Sequence, residues 1–407
     1  MSRLGFLISG NASKWFVSTR GLSSVLALFL ALAYTKLLGL EKRSVLAFIM
    51  VSALLLTIFL TSSLSLALRN RSKSAIKDEE FIGYIILVVG ASTLVGLINC
   101  ILLEIYSNLK TEIQLPIFIV CFIYSSLACL TLGLQDALLA AGNLRIATVF
   151  DLVTILIQIL TLSFLVKIAQ TSLIVSVLLS FIFSYSMISF ASLTIFLYSI
   201  RVEKSLLIGG MKSILAHSRK HLMFGIASGL VDRVDRFIIG LMLPITYLAK
   251  YALLSSIVGF ARFLPDSAIK INLLNHHRNE KVFQVKYTTR GVVFILLGSI
   301  LFVAGSQTFI ILLFGNNWLL PTSVVVLLVF QEILRGNYQL CAVKLIANGG
   351  ALAMSRISGV LIVTAISLTV IAVQTLGVWG APLAMVVTYT LTTLLIEKKF
   401  KEMSNAS

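Results

Sequence analysis

The sequence predicts an all-α membrane protein with twelve transmembrane helices in two pseudo-symmetric six-helix bundles. Three observations carry this. Of 407 residues, 58% are hydrophobic and only 12% charged, against about 25% charged in soluble domains. The apolar residues fall in blocks of about 20, the length that crosses a bilayer as a helix. Finally, features of the first half recur in the second at a nearly constant offset. Disorder is excluded by the high hydrophobicity, and a β-barrel by the absence of short alternating segments.

In chain order the expected spans are 15–35, 45–68, 81–103, 115–139, 147–166, 173–198, 222–243, 251–269, 291–314, 319–340, 357–376 and 380–396. Arg3, Lys14 and Arg20 before a Leu-rich run, with Ala31-Leu32-Ala33 behind it, imitate a secretory leader. The leader would be long and many spans follow, so the first run is expected to stay as a transmembrane helix. Twelve spans put both termini on one side. Segments on that side hold 22 Lys and Arg, the opposite loops hold six, and five arginines lie within spans. Positive residues mark the cytoplasmic side, so both termini are expected there. All external loops are short, which excludes an external soluble domain.

The repeat pairs Gly83, Gly90 and Asn108 with Gly291, Gly298 and Asn316, an offset of 208. Ala140-Ala141-Gly142-Asn143 faces Ala347-Asn348-Gly349-Gly350, and Pro116 and Pro321 open corresponding spans. The expected organisation is an N-terminal bundle over 1–199, a basic cytoplasmic linker over 200–221 and a C-terminal bundle over 222–407. Two bundles related in this way are a transporter signature, with the substrate path between them.

The net charge of +17 reads as a topology signal spread over short loops, with no nucleic-acid partner implied. Cys100, Cys121, Cys129 and Cys341 all lie in apolar runs and form no CxxC pair, so neither a disulfide framework nor a zinc site is expected. No Walker A loop, GxSxG elbow or HExxH occurs. The chain reads as a non-enzyme without cofactor or metal.

Six acids fall within spans: Asp136, Asp151, Asp232, Asp235, Asp266 and Glu332. The in-span arginines are Arg20, Arg233, Arg236, Arg262 and Arg335. An ionised group at a helix centre costs about 2.5–3.5 kcal/mol on insertion scales, so each must face a partner or a wet cavity. The sharpest cluster is Asp232-Arg233-Val234-Asp235-Arg236, where Asp232 and Arg236 would be i,i+4 partners on one helix. It either neutralises itself or lines a polar cavity. Arg20 either snorkels to the headgroups or meets an anion. Arg262 either snorkels, pairs with Asp266 or serves the cavity. Glu332 and Arg335, i,i+3, are expected to pair. Asp136 and Asp151, flanking Arg145 near cytoplasmic helix ends, suggest capping or interfacial roles. Gly225 and Gly229 form a small-xxx-small face for close helix contact.

Several short motifs resemble the multidrug/oligosaccharidyl-lipid/polysaccharide exporter superfamily. They are Lys36-Leu37-Leu38-Gly39 after the first span, Asp235 through Gly240 followed by Tyr251, Phe314-Gly315-Asn316-Asn317-Trp318, and Gly377-Val378-Trp379-Gly380-Ala381-Pro382. Within it the chain looks most like O-antigen and exopolysaccharide repeat-unit flippases. The resemblance implies a V-shaped pair of bundles around a central cavity, working by alternating access. It implies an undecaprenyl-pyrophosphate-linked oligosaccharide moved from the cytoplasmic to the outer leaflet of the inner membrane, for O-antigen, lipopolysaccharide or other surface polysaccharide. Membrane lipid, a polysaccharide polymerase and chain-length components are the partners it implies.

On that reading Arg20, Arg262, Arg233 and Arg236 serve the pyrophosphate, since arginine offers planar, multidentate donors. Asp232, Asp235, Glu332 and Arg335 serve ion coupling or salt bridging. The alternatives are a drug or cation antiporter of the same superfamily, which would prefer a net acidic cavity, and a membrane-embedded glycan polymerase or ligase. The latter families carry a large catalytic external loop that this chain lacks. A third alternative is a scaffold for a glycan-assembly complex, in which substituting the in-span charges would leave export intact.

Overall fold

The computed structural model describes residues 11–69, 78–110, 113–141, 143–168, 172–199, 207–259, 303 and 305–406. Over these residues the chain is helical, and its long apolar helices make it a multi-pass membrane protein. We number the helices α1 Asn11–Arg69, α2 Asp78–Lys110, α3 Leu115–Ala140, α4 Leu144–Ile168, α5 Leu173–Ser199, α6 Leu207–Ser218, α7 Leu222–Val231, α8 Val234–Met242 and α9 Ile245–Gly259. Then follow α10 Gly305–Phe314, α11 Thr322–Ala347, α12 Ala351–Leu376 and α13 Gly380–Ala406.

Helix α1 holds two of the expected spans. Gly39, at φ 70 and ψ −177, interrupts it; a side chain there would be strained, because only glycine visits that region freely. The second such device is Gly315, at φ 83, ahead of the Asn316–Trp318 turn. There the Phe314 and Trp318 rings meet at 5.5 Å, so the Phe-Gly-x-x-Trp motif is a helix-ending turn closed by its own aromatics.

The expected duplication is visible in helix starts. Leu115 and Thr322, Leu144 and Ala351, and Leu173 and Gly380 each lie 207 residues apart. The paired helices run 26 and 26, 25 and 26, and 27 and 27 residues.

The chain divides into two compact units, residues 1–30 with 48–233 and residues 31–47 with 234–407. In the first unit an apolar core that includes Leu68, Phe81, Val88 and Leu134 is joined by a buried polar cluster. Asn99 of α2 is fully buried. Its Nδ2 donates to Ser125 Oγ at 2.6 Å on α3 and to the Ile49 carbonyl at 3.3 Å on α1, and its Oδ1 accepts from Ser52 Oγ. Leu94, Leu97, Ile98, Ile101 and Ile105 of the same helix are exposed. Their i, i+3, i+4, i+7 spacing makes a lipid-facing stripe. Apolar packing alone gives no preference for protein over lipid, so interhelical hydrogen bonds and close packing hold such helices together.

Small residues supply the close packing. A Cβ added at Gly229 would run into the Ile58 side chain, and one at Gly225 would fall 2.7 Å from Ser62 Oγ and the Ser63 nitrogen. The expected Gly225/Gly229 face therefore seats α7 against the returning arm of α1. Gly83 of α2 and Gly210 of α6 meet backbone to backbone, and Ser213 Oγ donates to the buried Glu80 at 2.5 Å. These contacts lay α6, from the basic segment, against α2.

Candidate functional site

The charged motif expected within one span breaks that span. Helix α7 ends at Val231 and α8 begins at Val234, with a turn at Asp232 and Arg233. The Arg233 amide donates to the Leu230 carbonyl at 3.0 Å, an i−3 contact that replaces the helical ladder. Asp235 Oδ1 accepts the Arg236 amide at 2.7 Å; such short side-chain-to-backbone bonds compete with helix continuation. The expected i,i+4 register of Asp232 and Arg236 on one continuous helix is therefore corrected: the two residues flank an interruption. The break coincides with the boundary between the two compact units.

Four elements of the second unit bring polar groups together. Asp235, 1% exposed, lies in the first turn of α8. Its Oδ2 accepts the hydroxyl of the fully buried Tyr251 of α9 at 2.9 Å. Tyr251 also lies within electrostatic reach of Arg236 and of Glu332 on α11. Glu332 pairs with Arg335 one turn on, Nη1 to Oε2 at 3.9 Å, both largely buried. This is the i,i+3 pair expected from the sequence.

The fourth element is the α1 kink. Arg43 is only 3% exposed. Its Nε donates to Thr35 Oγ1 at 3.0 Å across Gly39, and its guanidinium stands 4.9 Å from the Tyr34 ring centroid, within cation–π range. Thr35 in turn donates to the Ala31 carbonyl at 2.6 Å. Next to it, Ser44 Oγ donates to the Ile245 carbonyl at 2.6 Å, tying the kink to the start of α9. Arg43 and Arg236 act on each other as like charges.

Of the residues expected at a site, Asp235, Arg236, Glu332 and Arg335 therefore fall in one neighbourhood. Asp232 and Arg233 sit half-buried at the α7–α8 turn. Arg20 belongs to the first unit, its Nη1 4.0 Å from Asp151 Oδ2 of α4, with side chains 23% and 36% accessible. Asp151 thus faces Arg20, a relationship not anticipated from sequence. Arg262 and Asp266 lie outside the described residues. Sequence reasoning counted Arg43 only as an external-loop charge. The clue was the polar Tyr34-Thr35 step at the end of an apolar run, eight and nine residues ahead of it.

No family model matches this chain, and no curated protein matches it. Solved structures do. The lipid II flippase MurJ in its inward closed conformation aligns with a TM-score of 0.69 over 95% of this chain and 87% of its own, at 13% identity. An inward-facing multidrug resistance MATE family transporter of the MOP superfamily aligns at 0.59, over 96% and 99%, at 11% identity. A MATE transporter from Vibrio cholerae aligns at 0.54, over 98% and 99%, at 13% identity. The chain has the fold that these flippase and MATE transporter structures share.

Proposed function

We propose that the chain is a flippase moving a polyprenyl-pyrophosphate-linked oligosaccharide from the cytoplasmic to the outer leaflet of the inner membrane, for O-antigen or another surface polysaccharide. Both termini are cytoplasmic on this reading, and the two homologous bundles, 1–199 and 222–407, alternate access while the polyprenyl tail stays in lipid. The observation that carries it is an accessible guanidinium on a membrane helix: Arg20, which keeps 23% side-chain accessibility beside Asp151. A guanidinium in low dielectric is a strong site for a pyrophosphate. The likeness in fold to a lipid II flippase supports the substrate class.

Arg20, Arg233 and Arg262 are the proposed pyrophosphate ligands. Arg236 belongs with the buried group around Tyr251. Asp232 and Asp235 are the proposed coupling acids, the latter held by a hydroxyl and an amide. The test is deletion and complementation. Loss of the chain should leave lipid-linked repeat units on the cytoplasmic face, and Arg20→Ala or Arg262→Ala should fail to clear them.

The second reading, a drug or cation antiporter, is favoured by near-complete alignment with MATE transporters and by six in-span acids against five arginines. Cation export by the purified chain, without effect on glycolipid, would select it.

A further inference from the structure

Helices α2 and α3 pack antiparallel with their backbones close. A Cβ added at Gly96 would run into the side chains of Phe122 and Ser126. One turn on, Asn99 Nδ2 donates to Ser125 Oγ at 2.6 Å and stands 3.5 Å from Cys121 Sγ. The Cys100 thiol donates to the Phe118 carbonyl at 3.4 Å. This register sets Cys100 opposite the turn of α3 that runs from Phe118 to Phe122 and holds Cys121. The two thiols lie within hydrogen-bonding reach of each other, and both are free in this structure. A disulfide needs its Cα atoms within about 7 Å, the close approach that Gly96 permits at this crossing.

The two sulfurs differ in access. Cys121 is fully buried, whereas Cys100 is half-buried beside the lipid-facing Ile101. Oxidation of cysteine follows exposure, so a small uncharged oxidant in the membrane meets Cys100 first. Cys121 needs no access of its own. Asn99 and the Ser125 hydroxyl, 3.9 Å away, hold its sulfur against the neighbouring thiol.

We propose that Cys100 and Cys121 form an oxidative modification site, at which a peroxide converts the thiol pair into a disulfide that staples α2 to α3. With hydrogen peroxide, the Cys100 sulfur attacks one oxygen and the O–O bond breaks, leaving a sulfenic acid and one water. The Cys121 sulfur then attacks the Cys100 sulfur. The S–O bond breaks, and the departing hydroxide takes the Cys121 proton as a second water. The thiol pair loses two electrons and both protons, and the peroxide accepts them. Both helices belong to the first unit, so the staple reinforces that unit beside the Asn99 cluster. The site is independent of the lipid-linked substrate and of Arg20.

The test is hydrogen peroxide treatment of the purified full chain in lipid nanodiscs, followed by alkylation of free thiols in denaturant and peptide mapping. The oxidised parent chain should keep only Cys129 and Cys341 alkylable, with the Cys100 and Cys121 peptides cross-linked within one chain. Its melting temperature should rise and return to the starting value with dithiothreitol. Cys121→Ser should stop at a Cys100 sulfenic acid captured by dimedone, Cys100→Ser should leave Cys121 a thiol, and Cys129→Ser should leave the cross-link unchanged. If a variant fails to fold, mapping of the parent chain decides the matter. A parent chain that keeps all its thiols under peroxide that consumes an exposed control thiol overturns the proposal. So does a cross-link to Cys129, a cross-link between chains, or a disulfide that leaves the melting temperature unmoved. Glycolipid transfer is measured separately in dithiothreitol, where the pair stays reduced, so failure of either reading is seen by itself.

Discussion

The Tyr251 hydroxyl donates to Asp235 Oδ2 at 2.9 Å with both residues buried, so one oxygen of the α8 carboxylate is satisfied from its neighbour α9. Replacing Tyr251 by Phe removes one donor and keeps the ring. The buried carboxylate is then short of a partner, which should cost about 1.5–3 kcal/mol, the range for hydrogen bonds to charged groups. Thermal unfolding in detergent measures it. A double-mutant cycle with Asp235→Asn should recover most of that figure as coupling energy, and additive losses would contradict a direct bond.

Asn99 makes a second prediction. It bridges α1, α2 and α3 from a fully buried position. Asn99→Leu strips partners from Ser52, Ser125 and the Ile49 carbonyl at once. Interhelical hydrogen bonds in membranes average about 0.6 kcal/mol, and up to about 1.7, so the three together should lower stability by about 1–3 kcal/mol. Hydrogen–deuterium exchange should then loosen around residues 49–52 and 121–125 ahead of α4 and α5.

Two glycine contacts differ in what relieves them. Gly229→Val should destabilise by thrusting a side chain against Ile58, and Ile58→Ala should restore most of the loss, because the obstruction is one side chain. Gly210→Val should not be rescued by any side-chain truncation, since its neighbour is the Glu79 backbone. Melting temperatures of the two singles and the Gly229/Ile58 double variant check this.

Arg20 and Asp151 separate a structural from a transport role. Their ion pair is partly exposed and 4.0 Å long, so it contributes at most about 1 kcal/mol. Asp151→Asn should leave stability near the parent value and glycolipid clearance intact. Arg20→Ala should also stay folded yet lose clearance by tenfold or more. Equal losses from both variants would make Arg20 a structural partner of Asp151.

Much of this architecture was legible because the bilayer makes sequence rules simple. Spans announce themselves by length, and the duplication by recurring turn residues. Pro116 and Pro321, opening α3 and α11, sit 205 residues apart, close to the 207 separating the helix starts. Glu332–Arg335 and Gly225/Gly229 were readable because both depend on spacing within one helix. The break at Asp232–Arg233 was not, because hydropathy sees an uninterrupted span where side-chain acceptors compete with the backbone ladder. Arg43 was misread for a related reason. A basic residue between two spans looks solvated, yet at the α1 kink Arg43 is buried against Tyr34 and Thr35. Asn99 gave no signal beyond being a lone amide in an apolar run, since its partners come from distant positions. Arg262 lies outside the described residues.

The most direct measurement is transfer in reconstituted vesicles. Vesicles containing the chain and a fluorescent polyprenyl-pyrophosphate oligosaccharide on one leaflet would be probed with an impermeant quencher or glycan-cleaving enzyme. Label should cross faster than in protein-free vesicles, and Arg20→Ala should abolish the gain. Label that stays on its leaflet, while the same vesicles exchange an organic cation for protons or sodium, would contradict flippase function.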